Sequence, residues 1–164
     1  MLSPREGLLR LADRVLPLTA RMPFLVQRVA LERSLNRALA EPLGEGAFDV
    51  LNGHWLRLEV ADLGLAWCLT CERQQLRIAA QAPVDVTIRG NWREFLLLAS
   101  RHEDPDTLFF RRRLVIEGDT ELGLAIKNLI DSLDPDTLPA WLWKTMQTAG
   151  AEVARQPVAG AVAR

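Results

Sequence analysis

The sequence lacks the residue clusters that most catalytic and metal sites require. It contains two cysteines and two histidines in 164 residues. Two cysteines are too few for a disulfide framework, and His54 and His102 stand alone, without ligand partners at metal-binding spacing. Gly-x-Ser-x-Gly, Gly-x-Gly-x-x-Gly and phosphate-loop motifs are all missing. These absences count against a hydrolase, a metal site and a nucleotide site, although residues distant in sequence can still meet in space.

One Cys-x-x-Cys motif is present, formed by Cys68 and Cys71. Redox pairs of this type stand where a helix begins, because its N-terminus lowers the thiol pKa. Here both cysteines fall inside a predicted strand, in which residues three apart point to opposite faces. We therefore expect the two thiols to be structural.

Long apolar runs and a large net charge are missing as well. The longest uncharged apolar run, residues 63–71, is too short to span a bilayer, and no secretory signal is visible, so the sequence predicts a cytoplasmic protein. The net charge of −1 provides no overall attraction to nucleic acid, but residues 1–40 carry seven arginines against three acidic residues. The basic character therefore belongs to the N-terminal segment.

What the sequence does contain is a change of hydrophobic period along the chain. Residues 1–50 show helical spacing, with a first helix ended by Pro17 and a second between Pro23 and Ala40. Period-two alternation then predicts four strands in an antiparallel meander, at 55–60, 65–71, 75–79 and 84–89. Helices follow, then a fifth strand, two more helices and a tail.

The order of elements predicts an α+β fold. Its five-stranded, mostly antiparallel sheet would be covered by helices on one face. We expect three segments: an N-terminal amphipathic helical extension (1–40), the main domain (41–148) and a flexible tail (149–164).

The strongest pattern lies in residues 116–134. Asp119 is placed to cap a helix, and Gly123 inside that helix would permit a close approach to a strand or a ligand. The apolar stripe of this helix comprises Leu122, Ala125, Ile126, Leu129, Ile130 and Leu133. Periodicity alone assigns this stripe to the core.

The segment LVIEGDTELGLAIKNLIDSLD (114–134) resembles the strand, Gly-Asp turn and leucine-rich helix of the sterol carrier protein type two domain. That resemblance covers about residues 40–135. The segment PFLVQRVALERSLNRALAEPLGEGAFDVLNGHWLRLEV (23–60) is similar to the UbiT group of ubiquinone biosynthesis accessory factors, which extends the match to most of the chain. The resemblance implies an apolar cavity enclosed by sheet and helices. It also implies lipid binding without catalysis, in oxygen-independent ubiquinone synthesis beside the UbiU and UbiV proteins.

The resemblance brings no catalytic residue, metal or cofactor. We hypothesise that the cargo is a polyprenylated ubiquinone precursor or a phospholipid acyl chain, that other ubiquinone-synthesis enzymes are partners, and that the basic N-terminal helix makes transient contact with the inner face of the membrane. A homodimer is left open. The candidate cavity-wall residues are Leu58, Leu65, Trp67, Leu69, Ile78, Val86, Ile88, Phe95, Leu98, Phe109, Ile116, Leu122, Ile126, Leu129 and Trp141.

Two arginine groups are candidates for contact with the membrane or a lipid head group: Arg5, Arg10 and Arg14, and Arg111, Arg112 and Arg113. The first group lies on an amphipathic helix that suits a membrane surface, the domain itself or a partner chain equally well. The second group suits an anion clamp or the solvated start of a strand. A scaffold without lipid cargo, and an enzyme acting on a prenylated phenol, remain as alternatives.

Overall fold

A computed structural model describes residues 4–156, apart from the side chains of Arg5 and Thr137. The described helices are α1 (Pro4–Thr19), α2 (Phe24–Ala38), α3 (Ala40–Gly44), α4 (Trp92–Ala99), α5 (Pro105–Phe110), α6 (Thr120–Ser132) and α7 (Ala140–Arg155). The strands are β1 (Leu56–Val60), β2 (Leu65–Glu72), β3 (Gln75–Ala79), β4 (Val86–Gly90) and β5 (Val115–Gly118). Short 3-10 helices occupy Asp49–Leu51, Ala61–Leu63 and Pro135–Thr137. The predicted α+β class is confirmed.

The five strands form one mostly antiparallel sheet in the order β3-β2-β1-β4-β5. The first three strands make the predicted meander, but β4 pairs with β1 in parallel, so the predicted antiparallel pairing of β4 with β3 is wrong. Residues 80–85 carry the chain from β3 at one edge across to the far side of β1. The Trp55 N–H donates to the Asp85 carboxylate at 2.8 Å, and the Asp85 N–H donates to the Trp55 carbonyl at 3.0 Å. These bonds hold the starts of β1 and β4 side by side.

Alternation along the strands gives the sheet one apolar and one polar face. Leu58 pairs in register with Trp67 and with Ile88, so these side chains share the apolar face. On the opposite face, Arg89 Nε lies 3.3 Å from a carboxylate oxygen of Glu59. The helices α2 and α6 contact the sheet and contribute to the core cluster on the apolar face. The helices therefore cover one face of the sheet, as the sequence predicts.

The turn between β5 and α6 has the predicted cap. Asp119 Oδ1 accepts a hydrogen bond from the Leu122 N–H at 3.0 Å. Gly118 has a φ of +108°, a conformation that residues with a Cβ rarely adopt. A Cβ on Gly123 would lie 2.9 Å from Ile116 Cγ2. Gly123 therefore allows α6 to approach the strand β5 closely.

The last helix is longer than predicted. The predicted flexible tail (149–164) begins too early, because α7 continues to Arg155; residues 157–164 lie outside the described part of the chain. Val153 is buried and packs against Leu9 of α1. This tertiary contact stabilises a segment whose alanine-rich composition alone suggested a tail.

The first helix packs on the domain. Leu9 is 1% exposed, and the Asp13 carboxylate lies 2.7 Å from a guanidinium nitrogen of Arg93 on α4. The predicted end at Pro17 is wrong, since α1 runs through to Thr19. A proline in the last turn removes only one intrahelical hydrogen bond, and the Thr19 hydroxyl donates to the Leu16 carbonyl at 2.6 Å.

Candidate functional site

A pocket of about 440 Å³ opens between the apolar face of the sheet and the surrounding helices. Its floor comes from the centre of the sheet, where Leu58 of β1 and Ile88 of β4 are register partners. Its walls come from α2, α4, the end of α6, the following loop and α7. The lining residues are Leu35, Ala38, Leu39, Leu58, Ile88, Phe95, Leu98, Ala99, Arg101, Ile130, Leu133, Asp134, Pro135, Leu138, Leu142, Trp143 and Met146.

Fifteen of these seventeen lining residues are apolar or aromatic. A concave site of this size and character suits the hydrocarbon part of a small molecule or lipid, because it replaces water with apolar contacts. The two charged lining residues are Arg101 and Asp134. The polar chemistry of the pocket therefore depends on the hydrogen-bond partners of these two side chains.

Arg101 holds the end of α6 in place. Its guanidinium donates to the carbonyls of Ile130 and Asp131, each at 3.1 Å, and also to the carbonyl of Leu133. The last carbonyls of a helix have no intrahelical partner, so these bonds satisfy groups that would otherwise face the pocket or solvent. Asp134 accepts a hydrogen bond from the Asp136 N–H at 2.9 Å and caps the next short helix. Both charged residues therefore have structural partners.

Four of the fifteen predicted cavity-wall residues line this pocket: Leu58, Ile88, Phe95 and Leu98. The others lie elsewhere in the fold. The core between α6 and the sheet contains Val86, Leu122, Ile126 and Leu129, and Phe109 and Ile116 pack against them. Leu65, Leu69 and Ile78 are buried on the sheet outside the pocket lining.

Trp67 and Trp141 also lie outside the pocket lining. The Trp67 indole N–H donates to the Gln27 side chain at 3.0 Å. Trp141 is 70% exposed, so its prediction as a cavity wall is wrong. The reason is helical phase, because Trp143 stands two residues later, about 200° around α7, and it is this tryptophan that lines the pocket.

The sequence interpretation missed the walls supplied by α2 and α7. On α7, Leu142 and Met146 are one turn apart and continue the spacing of Leu138, which precedes the helix; Leu35 on α2 and Leu39 just after it have the same spacing. This repeat of four residues was a usable signal for a shared helical face. It predicts burial, however, and gives no information about whether the opposing surface leaves a gap.

The six arginines predicted to contact a membrane or head group differ in their positions. Arg10 and Arg14 are exposed on α1, and Arg111 and Arg112 are exposed after α5. The side chain of Arg5 is not among those that the structure describes. The prediction of Arg113 as a surface contact is wrong, because its side chain is only 9% exposed.

Arg113 is instead part of a buried cluster. Its guanidinium lies 2.6 Å from a carboxylate oxygen of Glu94 and 3.5 Å from one of Glu103. Burial raises the pKa of the Glu94 carboxyl, with the charge of Arg113 acting in the opposite direction. These ion pairs hold the start of β5 against α4, which is a structural task.

Cys68 and Cys71 point to opposite faces of β2, as predicted. Cys71 pairs with Leu76 on the apolar side, while the Cys68 thiol lies 3.9 Å from the Ala80 carbonyl in the crossing segment. Both are free thiols, and burial raises the pKa of each. A raised thiol pKa disfavours the reactive thiolate, so this arrangement does not fit a redox pair.

Comparison with known proteins agrees with the observed fold. The family model described as "SCP-2 sterol transfer family" matches residues 31–131. The chain is 38% identical over 136 residues to the "Ubiquinone biosynthesis accessory factor UbiT" of Escherichia coli (strain K12), covering 82% of this chain and 78% of that relative. The relative of that name from Escherichia coli O157:H7 matches equally well. The chain belongs to the UbiT group of the SCP-2 family.

A solved structure supports the same fold. The protein titled "UbiJ-SCP2 Ubiquinone synthesis protein" superimposes with a TM-score of 0.54 at 22% identity, covering 66% of this chain and 97% of that one. The family match ends at residue 131, before α7 begins. The walls that α7 gives to the pocket therefore lie outside the matched domain. Within residues 4–156, none of the helices has the length and hydrophobicity that a bilayer crossing requires.

Proposed function

We propose that the protein is a non-catalytic accessory factor of ubiquinone biosynthesis that binds the apolar chain of a lipid in the 440 Å³ pocket. The pocket is the observation that carries this proposal, because fifteen of its seventeen lining residues offer only apolar or aromatic surface. The name of the Escherichia coli relatives supports the assignment to ubiquinone biosynthesis. The cargo we propose is a polyprenylated ubiquinone precursor or a phospholipid acyl chain.

The volume of the pocket limits how much of a lipid it encloses. Benzene fills a cavity of about 150 Å³, or about 25 Å³ per carbon. At that density 440 Å³ accommodates roughly 18 carbons. That is about one acyl chain, or between three and four isoprene units. The protein would therefore hold one chain, or the part of a longer polyprenyl tail nearest the head group.

Selectivity would come from shape more than from hydrophobicity. Burying one five-carbon isoprene unit is worth roughly 3–4 kcal/mol relative to water, at about 0.8 kcal/mol per carbon. A tail that starts in a bilayer is already out of water, so extraction gains little of this free energy. The function we propose therefore includes contact with the membrane surface, where the head group can be presented to partner enzymes, including the UbiU and UbiV proteins of the oxygen-independent pathway.

The non-catalytic role rests on the partners of the two charged lining residues. Arg101 is engaged with the carbonyls at the end of α6, and Asp134 caps a short helix. General acid–base or nucleophilic chemistry needs a group that is free to reach the substrate. Neither side chain meets that requirement while it performs its structural task.

Pocket-filling substitutions test the proposal. Ala38→Phe and Ala99→Phe each add a phenyl ring, and two rings at about 150 Å³ each would fill about two thirds of the pocket. The matched control is Ala61→Phe, because Ala61 is exposed and lies outside the pocket lining. Solvent extraction and mass spectrometry of the purified proteins should find lipid in the wild type and in the control, and little in the double variant.

Two results would contradict lipid binding as the function of the protein. One is a wild-type protein that carries no lipid and takes up no added polyprenylated precursor. The other is a double variant that binds no lipid yet restores anaerobic ubiquinone synthesis in cells lacking the related factor. The second result would favour the alternative, a scaffold without lipid cargo.

A further inference from the structure

The exposed apolar side chains of this protein are concentrated near its N-terminus. Of the eleven large hydrophobic side chains exposed among residues 4–156, eight fall between positions 8 and 29. They are Leu8, Leu11, Val15, Leu18, Met22, Leu25, Val26 and Val29. A monomer rarely exposes so many apolar groups in one short segment without a binding role.

On α1 these side chains form a stripe along one side of the helix. Leu8, Leu11, Val15 and Leu18 follow each other at three, seven and ten residues, which confines them to an arc of about 80°. Leu11 is 59% exposed and Leu18 is 55% exposed. Leu9, about 100° from Leu8, is buried against Leu97 and Val153. The helix thus packs on the domain with one side and presents a second apolar side outward.

Exposed arginines accompany the apolar side chains. Arg10 and Arg14 lie on α1 on the side of the stripe away from the buried contact, Arg21 lies in the following turn, and Arg33 and Arg37 lie on α2. Among the residues that the structure describes, none of these five arginines forms a salt bridge. Their charge is therefore available to a partner.

Two acidic side chains of the segment are already used within the protein. Asp13 pairs with Arg93 at 2.7 Å. Glu32 accepts a hydrogen bond from the Ile78 N–H at 2.8 Å and lies 3.4 Å from Arg28. Neither carboxylate therefore neutralises the exposed arginines, and even with Glu6 of α1 counted the five exposed arginines leave the segment positive as well as apolar.

We propose that the eight exposed apolar residues and the five exposed arginines, together called the α1–α2 face, dock on an anionic lipid bilayer. An interfacial helix inserts its apolar side among the acyl chains while arginines at its margin contact lipid phosphates. A second copy of the chain is a poorer occupant. In a symmetric dimer the same patch meets itself, which would bring the two sets of arginines together.

The α1–α2 face and the pocket share one helix. Val29 belongs to the face, and Leu35 lines the pocket six residues further along α2, which is about 9 Å along the helix axis and about 120° around it. Docking through this face therefore brings the pocket close to the bilayer. This step rests on the proposed function, since a pocket for roughly 18 carbons leaves the rest of a long polyprenyl tail in the membrane during transfer.

Flotation with lipid vesicles tests the inference without any quinone precursor. The wild type should float with vesicles of phosphatidylcholine and phosphatidylglycerol, and much less with phosphatidylcholine alone. Arg10→Gln with Arg14→Gln should lower partitioning to anionic vesicles roughly 25-fold at low salt, because each arginine near such a surface contributes about fivefold. Leu11→Asn with Leu18→Asn should lower partitioning to both kinds of vesicle.

Matched controls separate this face from general surface properties. Leu124→Asn changes an exposed leucine on α6, and Arg73→Gln with Arg77→Gln removes two exposed arginines from the β2–β3 hairpin. Both controls should float like the wild type. Circular dichroism spectra should be unchanged throughout, as every substituted side chain is exposed. Equal losses for the hairpin pair and the Arg10 and Arg14 pair would overturn the inference.

Two further results would also overturn it. One is a failure of the wild type to float with anionic vesicles. The other is a dimer in sedimentation that Leu11→Asn with Leu18→Asn dissociates, without vesicle binding; that result would make the face a self-association interface. Mass spectrometry on the same preparations keeps the two proposals apart. Cargo without flotation rejects the docking face alone, and flotation without cargo rejects the lipid-binding function alone.

Discussion

The substitution Arg101→Ala tests how the mouth of the pocket is held together. Arg101 follows α4, and its guanidinium bonds three carbonyls at the end of α6, those of Ile130, Asp131 and Leu133. It therefore ties two helices that stand on different sides of the pocket. Removing it should loosen the end of α6 and reduce lipid retention as well as stability.

The size of the effect follows from these contacts. A hydrogen bond to a charged group contributes about 1.5–3 kcal/mol, but the freed carbonyls lie at the rim, where water can replace part of what is lost. The Arg101 side chain is 28% exposed. We therefore expect a total loss of about 2–3 kcal/mol in the free energy of unfolding, near the value of a single strong bond. For a domain of this length that lowers Tm by roughly 4–12 °C.

Arg112→Ala is the matched control. Arg112 follows α5 as Arg101 follows α4, and the two have nearly the same backbone φ, +56° and +61°. Arg112 is exposed and makes no side-chain hydrogen bond or salt bridge within the described residues. Since alanine meets the same backbone strain at both positions, the difference between the two variants isolates the side-chain contacts of Arg101.

The assay is thermal and denaturant unfolding of lipid-free protein, followed by circular dichroism. The Arg112→Ala protein should unfold within about 0.5 kcal/mol of the wild type, as an ordinary surface variant does. If Arg101→Ala destabilises the protein no more than Arg112→Ala, the carbonyl contacts do not hold the pocket mouth. The polar rim of the pocket would then contribute nothing measurable to stability.

Three other measurements follow from the structure. Leu9→Ala should lower the free energy of unfolding by about 2–4 kcal/mol in denaturant titrations, while Leu11→Ala, at an exposed position of the same helix, should change it by less than about 0.5 kcal/mol. Burial raises the pKa of Glu94, so the folded protein holds this proton more tightly than the unfolded chain does. The resulting stabilisation is fully present below the usual glutamate pKa and is lost as pH rises through the folded value. Glu94→Gln should remove this part of the pH dependence of unfolding. Bound lipid should shift the tryptophan emission of a Trp141→Phe variant but shift it less in a Trp143→Phe variant, because only Trp143 lines the pocket.

The parts of the fold that local chemistry determines could be predicted from sequence. The cap at Asp119 and the stripe of Leu122, Ile126 and Leu129 depend on residues within three turns of one another, and the structure contains both as expected. Strand alternation likewise predicted the positions of the strands and the opposite orientations of Cys68 and Cys71.

Features that depend on distant partners could not be predicted in the same way. Val86 and Ile88 alternate with polar residues whether β4 runs parallel or antiparallel to its neighbour, so the pattern contains no information about the pairing with β1. The alanine-rich end of α7 packs against α1, where Val153 and Leu9 belong to one buried cluster, and this contact stabilises the helix. Composition describes the segment and leaves out the surface against which it packs.

The same limit separates pocket from core. On α6, Ile126 and Ile130 are one turn apart in a single apolar stripe, yet Ile126 is 2% exposed within the core and Ile130 reaches the pocket. A gap arises where neighbouring elements fail to fill the space between them, and periodicity records the apolar side of each element separately. A lipid-binding wall and a solid core therefore have the same sequence signature.

The helix α7 connects the two sites that we propose. Its first half lines the pocket through Leu142, Trp143 and Met146, and its second half contacts α1 through Val153 and Leu9. Any displacement of α1 at a membrane would therefore act on a helix that also forms a pocket wall. Because the family match ends at residue 131, both contacts of α7 lie outside the matched domain, and substitutions in α7 would test the pocket wall and the α1 contact together.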